Sequence, residues 1–156
     1  MSAYAEMASD LVLKRFRNCG FDCLCGNVRM AARSLTSVYD EYLKPSGLRS
    51  PQLAVLWAVV ALNDGTVGKI AKVITMDDST LTRTLKLLER DKLVSLRPGR
   101  DRREKRVRAT VRGKKAFSTA MPLWEQAQSS MKERLKGKRL HEVNSVLLNL
   151  ASVRTP

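Results

Sequence analysis

A strongly basic segment begins Arg97-Pro98-Gly99-Arg100-Asp101-Arg102-Arg103-Glu104-Lys105-Arg106-Val107-Arg108 and continues to Lys115. Ten of the residues at 97–115 are basic and two are acidic. A Pro-Gly turn favours a reversal of the chain. Arg106 and Arg108 are two residues apart and share one face of a strand, while Val107 points to the other face. The segment therefore predicts a basic β-hairpin, with strands at 93–96 and 105–110 and a tip around Pro98-Gly99-Arg100.

The positive charge of the chain is concentrated around this hairpin. The 156 residues carry a formal net charge of +14, and residues 66–116 alone hold 16 basic and 6 acidic residues. A patch of one sign attracts polyanions, which indicates nucleic acid or an anionic membrane surface. A membrane is disfavoured because the basic residues lie on a hairpin rather than an amphipathic helix, and no apolar run approaches about 18 residues.

Helical patterns precede the hairpin. Apolar residues recur in steps of four and three from Asp22 to Leu43, a heptad pattern. Ser50 is the expected N-cap of a second helix that ends near Leu62, with Pro51 in its first turn. Thr66 and Asp77 are expected to cap two shorter helices, at 67–74 and about 78–90. Thr75 and Met76 join those helices, so residues 66–90 predict a helix-turn-helix.

The second helix of such a motif enters the major groove and contacts base edges mainly through its N-terminal residues. Arginine can bond guanine in bidentate fashion, and hydroxyl groups can bind bases or phosphates. The alternative is that Ser79 and Thr80 only support the helix cap and that Lys86 is a solvated surface residue. The candidate DNA-contacting residues on this helix are Ser79, Thr80, Thr82, Arg83 and Lys86.

The hairpin then forms the wing of a winged helix-turn-helix. We expect Arg100, Arg102 and Arg103 to follow the phosphate backbone, with one guanidinium entering a narrow, strongly negative minor groove. An exposed arginine cluster can instead be a solubilising surface. Its position beside a base-contacting helix favours the interpretation as a DNA contact.

Two apolar stripes follow the wing. The first consists of Phe117, Ala120, Met121, Trp124, Ala127 and Met131, and the second of Leu140, Val143, Leu147 and Leu150. A two-fold homodimer would bury both stripes and match a symmetric operator, whereas the alternative is a monomeric helical core. Pro122 is expected to kink the first of these helices without ending it.

These patterns predict a mainly α fold with a small β-wing. A single domain over residues 1–156 is expected to contain a winged helix-turn-helix lobe at 50–112 and dimerisation helices at 22–43 and 114–153. The first residues lack a basic segment followed by an apolar stretch, so no secretory signal is predicted and a cytoplasmic, nucleoid-associated protein is expected.

The hairpin resembles the wing of the MarR family of bacterial transcription regulators. Asp101, Arg103, Thr110 and Gly113 match the family signature D-x-R-x(6)-T-x-x-G, and residues 79–83 with Leu88-Glu89 are similar to its recognition helix. The resemblance spans residues 22–153. It implies a homodimer with two winged lobes on one duplex. It also implies that Arg103 enters the minor groove, while Asp101 braces the wing rather than contacting DNA.

The resemblance further implies a small aromatic or phenolic effector that binds between the dimerisation helices and the DNA lobe. Trp57 either lines that pocket or belongs to the core. Three positions depart from the family pattern. Lys92 stands where glycine is common at the end of the recognition helix, Ala109 replaces a leucine, and Asp78 is acidic, so it repels phosphate unless it accepts from cytosine N4.

Three cysteines, Cys19, Cys23 and Cys25, lie within seven residues near the start of the first helix. Their odd number does not suit a disulfide framework. Neighbouring basic residues are typical of reactive thiols, so oxidant sensing is one interpretation. Zinc binding with His141 or a partner chain is an alternative, although the C-x-x-C spacing is missing, and ordinary structural thiols are another. No metal or other cofactor is predicted.

The sequence gives little support for an enzymatic function, because the chain has one histidine and lacks the common hydrolase, zinc and phosphate-binding motifs. An RNA-binding module is disfavoured because the basic segment has no aromatic residues for base stacking. Two functions remain. The first is a sequence-specific regulator, most simply a repressor that an effector or thiol oxidation releases from double-stranded operator DNA. The second is an architectural protein that contacts only the sugar-phosphate backbone of the DNA.

Overall fold

The computed structural model describes residues 23–99, 104–135 and 138–153. The chain separates into two units, one ending at Val38 and one beginning at Tyr39. The first unit contains most of helix α1, Leu24–Leu43. The heptad residues predicted for this segment therefore lie on a helix, as expected, although Leu24 and Leu35 are exposed.

The second unit is helical apart from one small sheet, which confirms the predicted mainly α fold with a β-wing. The sheet is antiparallel with strand order β1-β3-β2. The elements that follow α1 are a 3-10 turn at Lys44–Ser46, α2 Ser50–Leu62, β1 Gly65–Thr66, α3 Val67–Ile74, α4 Asp78–Arg90, β2 Val94–Pro98, β3 Lys105–Ala109, α5 Val111–Arg134 and α6 Lys138–Ala151.

Helix α2 is the centre of the core of this unit. Its sequence is almost entirely apolar, as is typical of a helix that is surrounded by other elements. Helices α3, α4 and α5 and strand β3 all pack against it. The largest fully buried side chains are Leu43, Val55, Leu56, Val59, Ile70, Leu81, Leu85, Leu88 and Val107. The core thus fixes α4 and the wing strand β3 to one scaffold.

Local hydrogen bonds set the helix boundaries. Thr66 and Asp77 cap α3 and α4 as predicted, accepting from Lys69 N at 3.2 Å and Thr80 N at 2.9 Å. The prediction of Ser50 as the N-cap of α2 is wrong, because Ser50 is already the first helical residue and Arg49 precedes it as the cap. The side chain of Gln52 accepts from Arg49 N at 2.9 Å, which stabilises this earlier start.

The return strand and the helix after it differ slightly from the prediction. Strand β3 ends at Ala109, and Thr110 instead caps α5 by accepting from Gly113 N at 3.0 Å. Pro122 lies inside α5, which continues to Arg134, so the proline does not end the helix. In the first predicted apolar stripe, Ala120, Ala127 and Met131 are buried. Within the described ranges, no helix combines the length and apolar character needed to cross a membrane.

Helix α4 ends with a lysine in the left-handed conformation. Lys92 has φ 59°. Its N–H donates to Glu89 O at 2.9 Å, and Leu93 N–H donates to Leu88 O at 2.8 Å, the pair of bonds of a Schellman motif. The apolar contact typical of the motif is available because Leu88 and Leu93 are both buried. The chain therefore keeps the geometry that glycine usually provides and accepts the steric cost of a side chain.

Lys92→Gly is accordingly expected to stabilise the protein. Removing the Cβ relieves the left-handed strain, and the gain exceeds the entropic cost of glycine by about 0.5–1 kcal/mol in the free energy of unfolding. Urea denaturation followed by circular dichroism measures this change. Lys92→Ala is the control, because it removes the charge but keeps the Cβ, and it should leave stability nearly unchanged. Equal stabilisation by both substitutions would show that charge, not backbone strain, limits stability here.

Candidate DNA-binding surface

The predicted helix-turn-helix is formed by α3 and α4. The turn begins at Thr75, which has φ 50°, an uncommon conformation for a β-branched residue. Thr75 N–H donates to Ala71 O, and Met76 N–H reaches the same oxygen at 3.2 Å. These bonds end α3 abruptly. The next helix can then start at Asp78 after a linker of three residues.

Helix α4 has one buried and one exposed face. Its buried residues are Leu81, Thr84, Leu85 and Leu88. Ser79, Arg83 and Lys86 are exposed and spaced by four and three residues, so they form one stripe on the opposite face. Thr80 and Thr82 are also exposed and flank this stripe. Among the described residues, Arg83 and Lys86 have no hydrogen-bond or ion-pair partner.

Arg90 extends the same stripe by a further four residues and was missed in the sequence prediction. It is exposed, and its Nε lies 3.0 Å from Asp91 Oδ1. The helical period that selected Arg83 and Lys86 leads directly to Arg90. Because both members of this pair are largely solvated, the ion pair contributes little and leaves the guanidinium free to exchange partners.

Two of the predicted contact residues are engaged by the N-cap of α4. Ser79 Oγ donates to Asp77 Oδ1 at 2.6 Å, and Thr80 N donates to the same oxygen at 2.9 Å. The Ser79 hydroxyl, followed by the Thr80 side chain and amide, holds the pKa of Asp77 well below its usual range. The carboxylate is thus ionised at every physiological pH. Ser79, having donated its one hydroxyl proton, retains only acceptor capacity.

The wing is a two-stranded hairpin with a third, very short strand at its side. Arg97 pairs with Arg106 and Pro98 with Lys105, and Gly99 N–H closes the hairpin by donating to Glu104 O at 2.7 Å. Val107 is buried, whereas Arg108 is exposed and Arg106 half-exposed, as the alternation predicted. The three wing-tip candidates Arg100, Arg102 and Arg103 lie outside the described residues, as does Asp101.

Thr110 and Gly113, the second half of the wing signature, join the wing to the end of α4. Thr110 N donates to Leu93 O at 3.0 Å, and Thr110 Oγ1 donates to Lys92 O at 2.7 Å. A Cβ on Gly113 would overlap the carbonyl oxygen of Leu93. The fold therefore requires the hydroxyl group of Thr110 and the absence of a Cβ at Gly113. They fix the start of α5 against the end of α4.

A groove of about 670 Å³ separates α4 from the wing. Both acidic and basic side chains line it, and Lys86 belongs both to this groove and to the exposed stripe of α4. It is lined by Thr66, Val67, Gly68, Asp78, Thr82, Leu85, Lys86, Glu89, Leu96, Glu104 and Lys105. Asp78, the unusual acidic residue, faces this groove together with Thr82 and Lys86.

The candidate thiols and Trp57 precede the helix-turn-helix in the sequence. Cys23 and Cys25 are free and exposed, and Cys23 Sγ accepts from Gly26 N at 3.3 Å. Cys19 lies outside the described residues. No group of three or more histidine, cysteine, aspartate or glutamate side chains suited to a metal occurs in the described part of the chain.

Trp57 packs edge-on against Phe117 and Trp124, with ring centroids 5.8 and 5.2 Å apart, and is 39% exposed.

Comparison with known proteins agrees with this architecture. No family model matches the chain. The M. tuberculosis transcriptional regulator MosR, solved in complex with DNA, is 36% identical, with a TM-score of 0.75 over 83% of this chain and 93% of MosR. An HTH-type transcriptional regulator of Bacillus subtilis, YwoH, is 33% identical over 94 residues, which are 60% of this chain and 69% of YwoH. The chain belongs to the MarR family.

More distant members share the fold. A cysteine mutant of MarR from E. coli, complexed with operator DNA, is 21% identical and superposes with a TM-score of 0.74 over 84% of this chain and 96% of MarR. This MarR-family protein is a DNA-binding transcriptional regulator and not an enzyme.

Proposed function

We propose that this MarR-family regulator binds a pseudo-palindromic operator as a homodimer and represses the promoters that contain it. The observation that carries the proposal is the exposed stripe of Ser79, Arg83 and Lys86 on α4, which one rigid core joins to a strongly basic wing. A helix with such a stripe fits the major groove, and the wing then lies beside the flanking backbone. MosR, which is 36% identical to this chain, has been solved in complex with DNA, and this supports DNA as the partner.

The residues of this surface have different roles in the proposal. Arg83 is a base contact, since a guanidinium can bind guanine O6 and N7 together. Lys86 and Thr82 bind phosphate, and Thr80 supports the helix start. Ser79 can only accept, because its proton is given to Asp77. In this arrangement it favours a base that presents an amino group in the major groove, adenine or cytosine, over a phosphate, which only accepts. In the wing, Arg100 and Arg102 follow the backbone and Arg103 enters the minor groove.

The homodimer is supported by the apolar side chains that the described chain leaves in solvent on α6, among them Val146 at 57% and Leu148 at 71% exposed. In this proposal residues 22–43 and 114–153 form the dimer and residues 50–112 form the DNA lobe. Light scattering after gel filtration should give twice the 17.5 kDa of one chain. Leu148→Glu should reduce that mass toward one chain. A monomeric wild-type protein at micromolar concentration would contradict the dimer.

Release from DNA has two candidate triggers. A small aromatic acid is supported by the cluster of Trp57, Phe117 and Trp124, which leaves an aromatic surface partly open to solvent. Thiol oxidation is supported by the exposure of Cys23 and Cys25. Peroxide converts a thiolate to a sulfenic acid with release of hydroxide, and a second thiol then displaces water to form a disulfide. Either product changes packing at the start of α1.

The thiol trigger gives a direct prediction. Peroxide should release wild-type protein from its operator and dithiothreitol should restore binding, because the altered α1 no longer holds two lobes at half-sites roughly 34–36 Å apart. A variant with serine at Cys19, Cys23 and Cys25 should bind normally and ignore peroxide, yet still respond to an aromatic acid. Fluorescence anisotropy measures both. If mass spectrometry finds oxidised cysteines in protein that keeps its operator affinity, the thiols are structural.

The proposed function is tested by mapping bound sites across the genome of the source organism. A regulator should occupy a few promoters that share an inverted repeat. The competing function, an architectural DNA-binding protein, is favoured by the net charge of +14 and should give broad occupancy without a shared element. Transcript levels of the bound promoters in a deletion strain then give the sign of regulation, and a fall in expression on deletion would identify an activator.

A further inference from the structure

Arg106 differs from the other basic wing residues that the structure describes, Arg97, Lys105 and Arg108, because two hydrogen bonds hold its side chain. Its Nε donates to Asp64 Oδ2 at 3.2 Å and its Nη2 donates to Asp64 O at 2.6 Å. Glu104 Oε1 lies 4.0 Å from Nη1. The guanidinium thus binds both the carboxylate and the backbone carbonyl of a residue 42 positions away in the sequence.

Asp64 belongs to the turn that connects α2 to β1. Its φ is 94° and that of Asn63 is 43°, so two consecutive residues have left-handed backbones. Aspartate adopts such values only at a cost, and they persist where the surroundings hold the backbone in place. The Arg106 side chain bonds the carbonyl of this strained residue. Strand β1 follows immediately and pairs with β3, with Thr66 opposite Arg106.

The charges around Arg106 explain why an acidic partner is needed. Arg97 stands directly opposite Arg106 across the hairpin, and like charges in that relation destabilise a sheet. Asp64 offsets this repulsion. Arg97 and Arg108 are exposed and have no hydrogen-bond or ion-pair partner in the part of the chain that the structure describes. Arg97, Arg106 and Arg108 share one face of the hairpin, and of these three Arg106 is the one that uses guanidinium donors within the protein, two of its five.

We propose that Arg106 is a positioning residue for DNA binding and not itself a phosphate contact. Together with Asp64 it fastens the stem of the wing to the α2–β1 turn. Because α2 also carries α4 through the core, this pair fixes the orientation of the wing relative to the base-contacting helix. The inference rests on the proposed DNA-binding function. The competing interpretation is that Arg106 binds phosphate and that Asp64 merely weakens its charge.

The two interpretations predict opposite signs for one substitution. Asp64→Ala removes a negative charge near DNA, so it should tighten binding if only charge matters. If the pair positions the wing, Asp64→Ala should weaken operator binding about fivefold or more, as expected for loss of a coupled pair. Asp64→Asn removes the same charge but keeps an oxygen acceptor and tolerates the left-handed backbone. It should therefore bind with nearly wild-type affinity.

Arg106→Ala completes a double-mutant cycle with Asp64→Ala. We expect it to weaken binding about as much as Asp64→Ala, with no further loss in the double variant and no change in the dependence of affinity on salt. Arg108→Ala, on the same face of the same strand, is the matched control and should lower the salt slope by about one if it binds phosphate. Tighter binding by Asp64→Ala, or a salt slope lowered by about one in Arg106→Ala, would overturn the proposal.

Amide hydrogen exchange tests the pair without DNA. In Asp64→Ala, the amides of β3 should exchange faster than in wild type, while those of α2 stay protected, because only the wing stem is released. Asp64→Asn should retain wild-type protection. Unchanged exchange in Asp64→Ala would contradict the positioning role. If wild-type protein fails to bind any DNA, the proposed function fails, whereas the exchange measurement still shows whether the wing stem is held by this pair.

Discussion

Gly113→Ala is expected to lower the free energy of unfolding by about 3 kcal/mol. The added Cβ would overlap the carbonyl oxygen of Leu93, which is backbone and cannot rotate away. That oxygen also accepts from Thr110 N at 3.0 Å, so moving it breaks the junction between the wing and α5. Urea denaturation monitored by circular dichroism measures the loss.

Gly68→Ala is the matched control. Gly68 also lies in the first turn of a helix, but a Cβ there would meet nothing within 4 Å. Alanine favours helix over glycine, so this variant should be as stable as wild type or gain up to about 1 kcal/mol. If the two variants change stability equally, close approach at Gly113 is not the reason for glycine in the wing signature.

Arg83→Ala is expected to reduce the discrimination between operator and scrambled DNA. A bidentate contact to guanine is worth about 1–3 kcal/mol against the wrong base, so operator affinity should fall roughly five- to 150-fold while affinity for scrambled DNA changes far less. Arg83 is exposed and belongs to no ion pair with a described residue, so the substitution should leave the fold intact. Fluorescence anisotropy with both duplexes at constant salt measures the ratio.

Lys86→Ala separates base contact from charge. It removes one positive charge from the same stripe, three residues farther along α4. If Lys86 binds phosphate, both duplexes should lose affinity to a similar extent and the salt slope should fall by about one. Matching behaviour of the two variants would mean that Arg83 is a further phosphate contact, and the architectural function would gain support.

Local signals explain which parts of the fold were predictable. Thr66 and Asp77 are good caps followed by apolar residues at helical spacing, so α3 and α4 were correctly predicted. The N-cap at Ser50 was wrong because Gln52 favours a start at Arg49. Strand β1 was missed because two residues, Gly65–Thr66, are too short to show alternation. Its pairing with β3 depends on the tertiary fold.

The surface that carries the candidate DNA contacts was predictable in position but not in detail, and the contacts themselves stay a prediction. Periodicity found Arg83 and Lys86, and extending it by one turn would have found Arg90. The engagement of the Ser79 hydroxyl by Asp77 depends on side-chain geometry that spacing alone does not give. Asp64 and Arg106 are far apart in the sequence, and an aspartate in a turn gives no sign of its partner. The wing signature also combines two functions, since Thr110 and Gly113 serve the fold, whereas Arg103 is proposed to serve DNA.

Sequence-specific binding is the central claim, and one ratio tests it most directly. Wild-type protein is titrated by anisotropy against a promoter site taken from genomic mapping and against the same duplex with its half-sites scrambled, at physiological salt. The proposed function predicts a preference of about 10³ or more for the intact site. Affinities for the two duplexes that agree within a few fold would contradict the proposed function. They would identify a protein that contacts only the sugar-phosphate backbone of DNA.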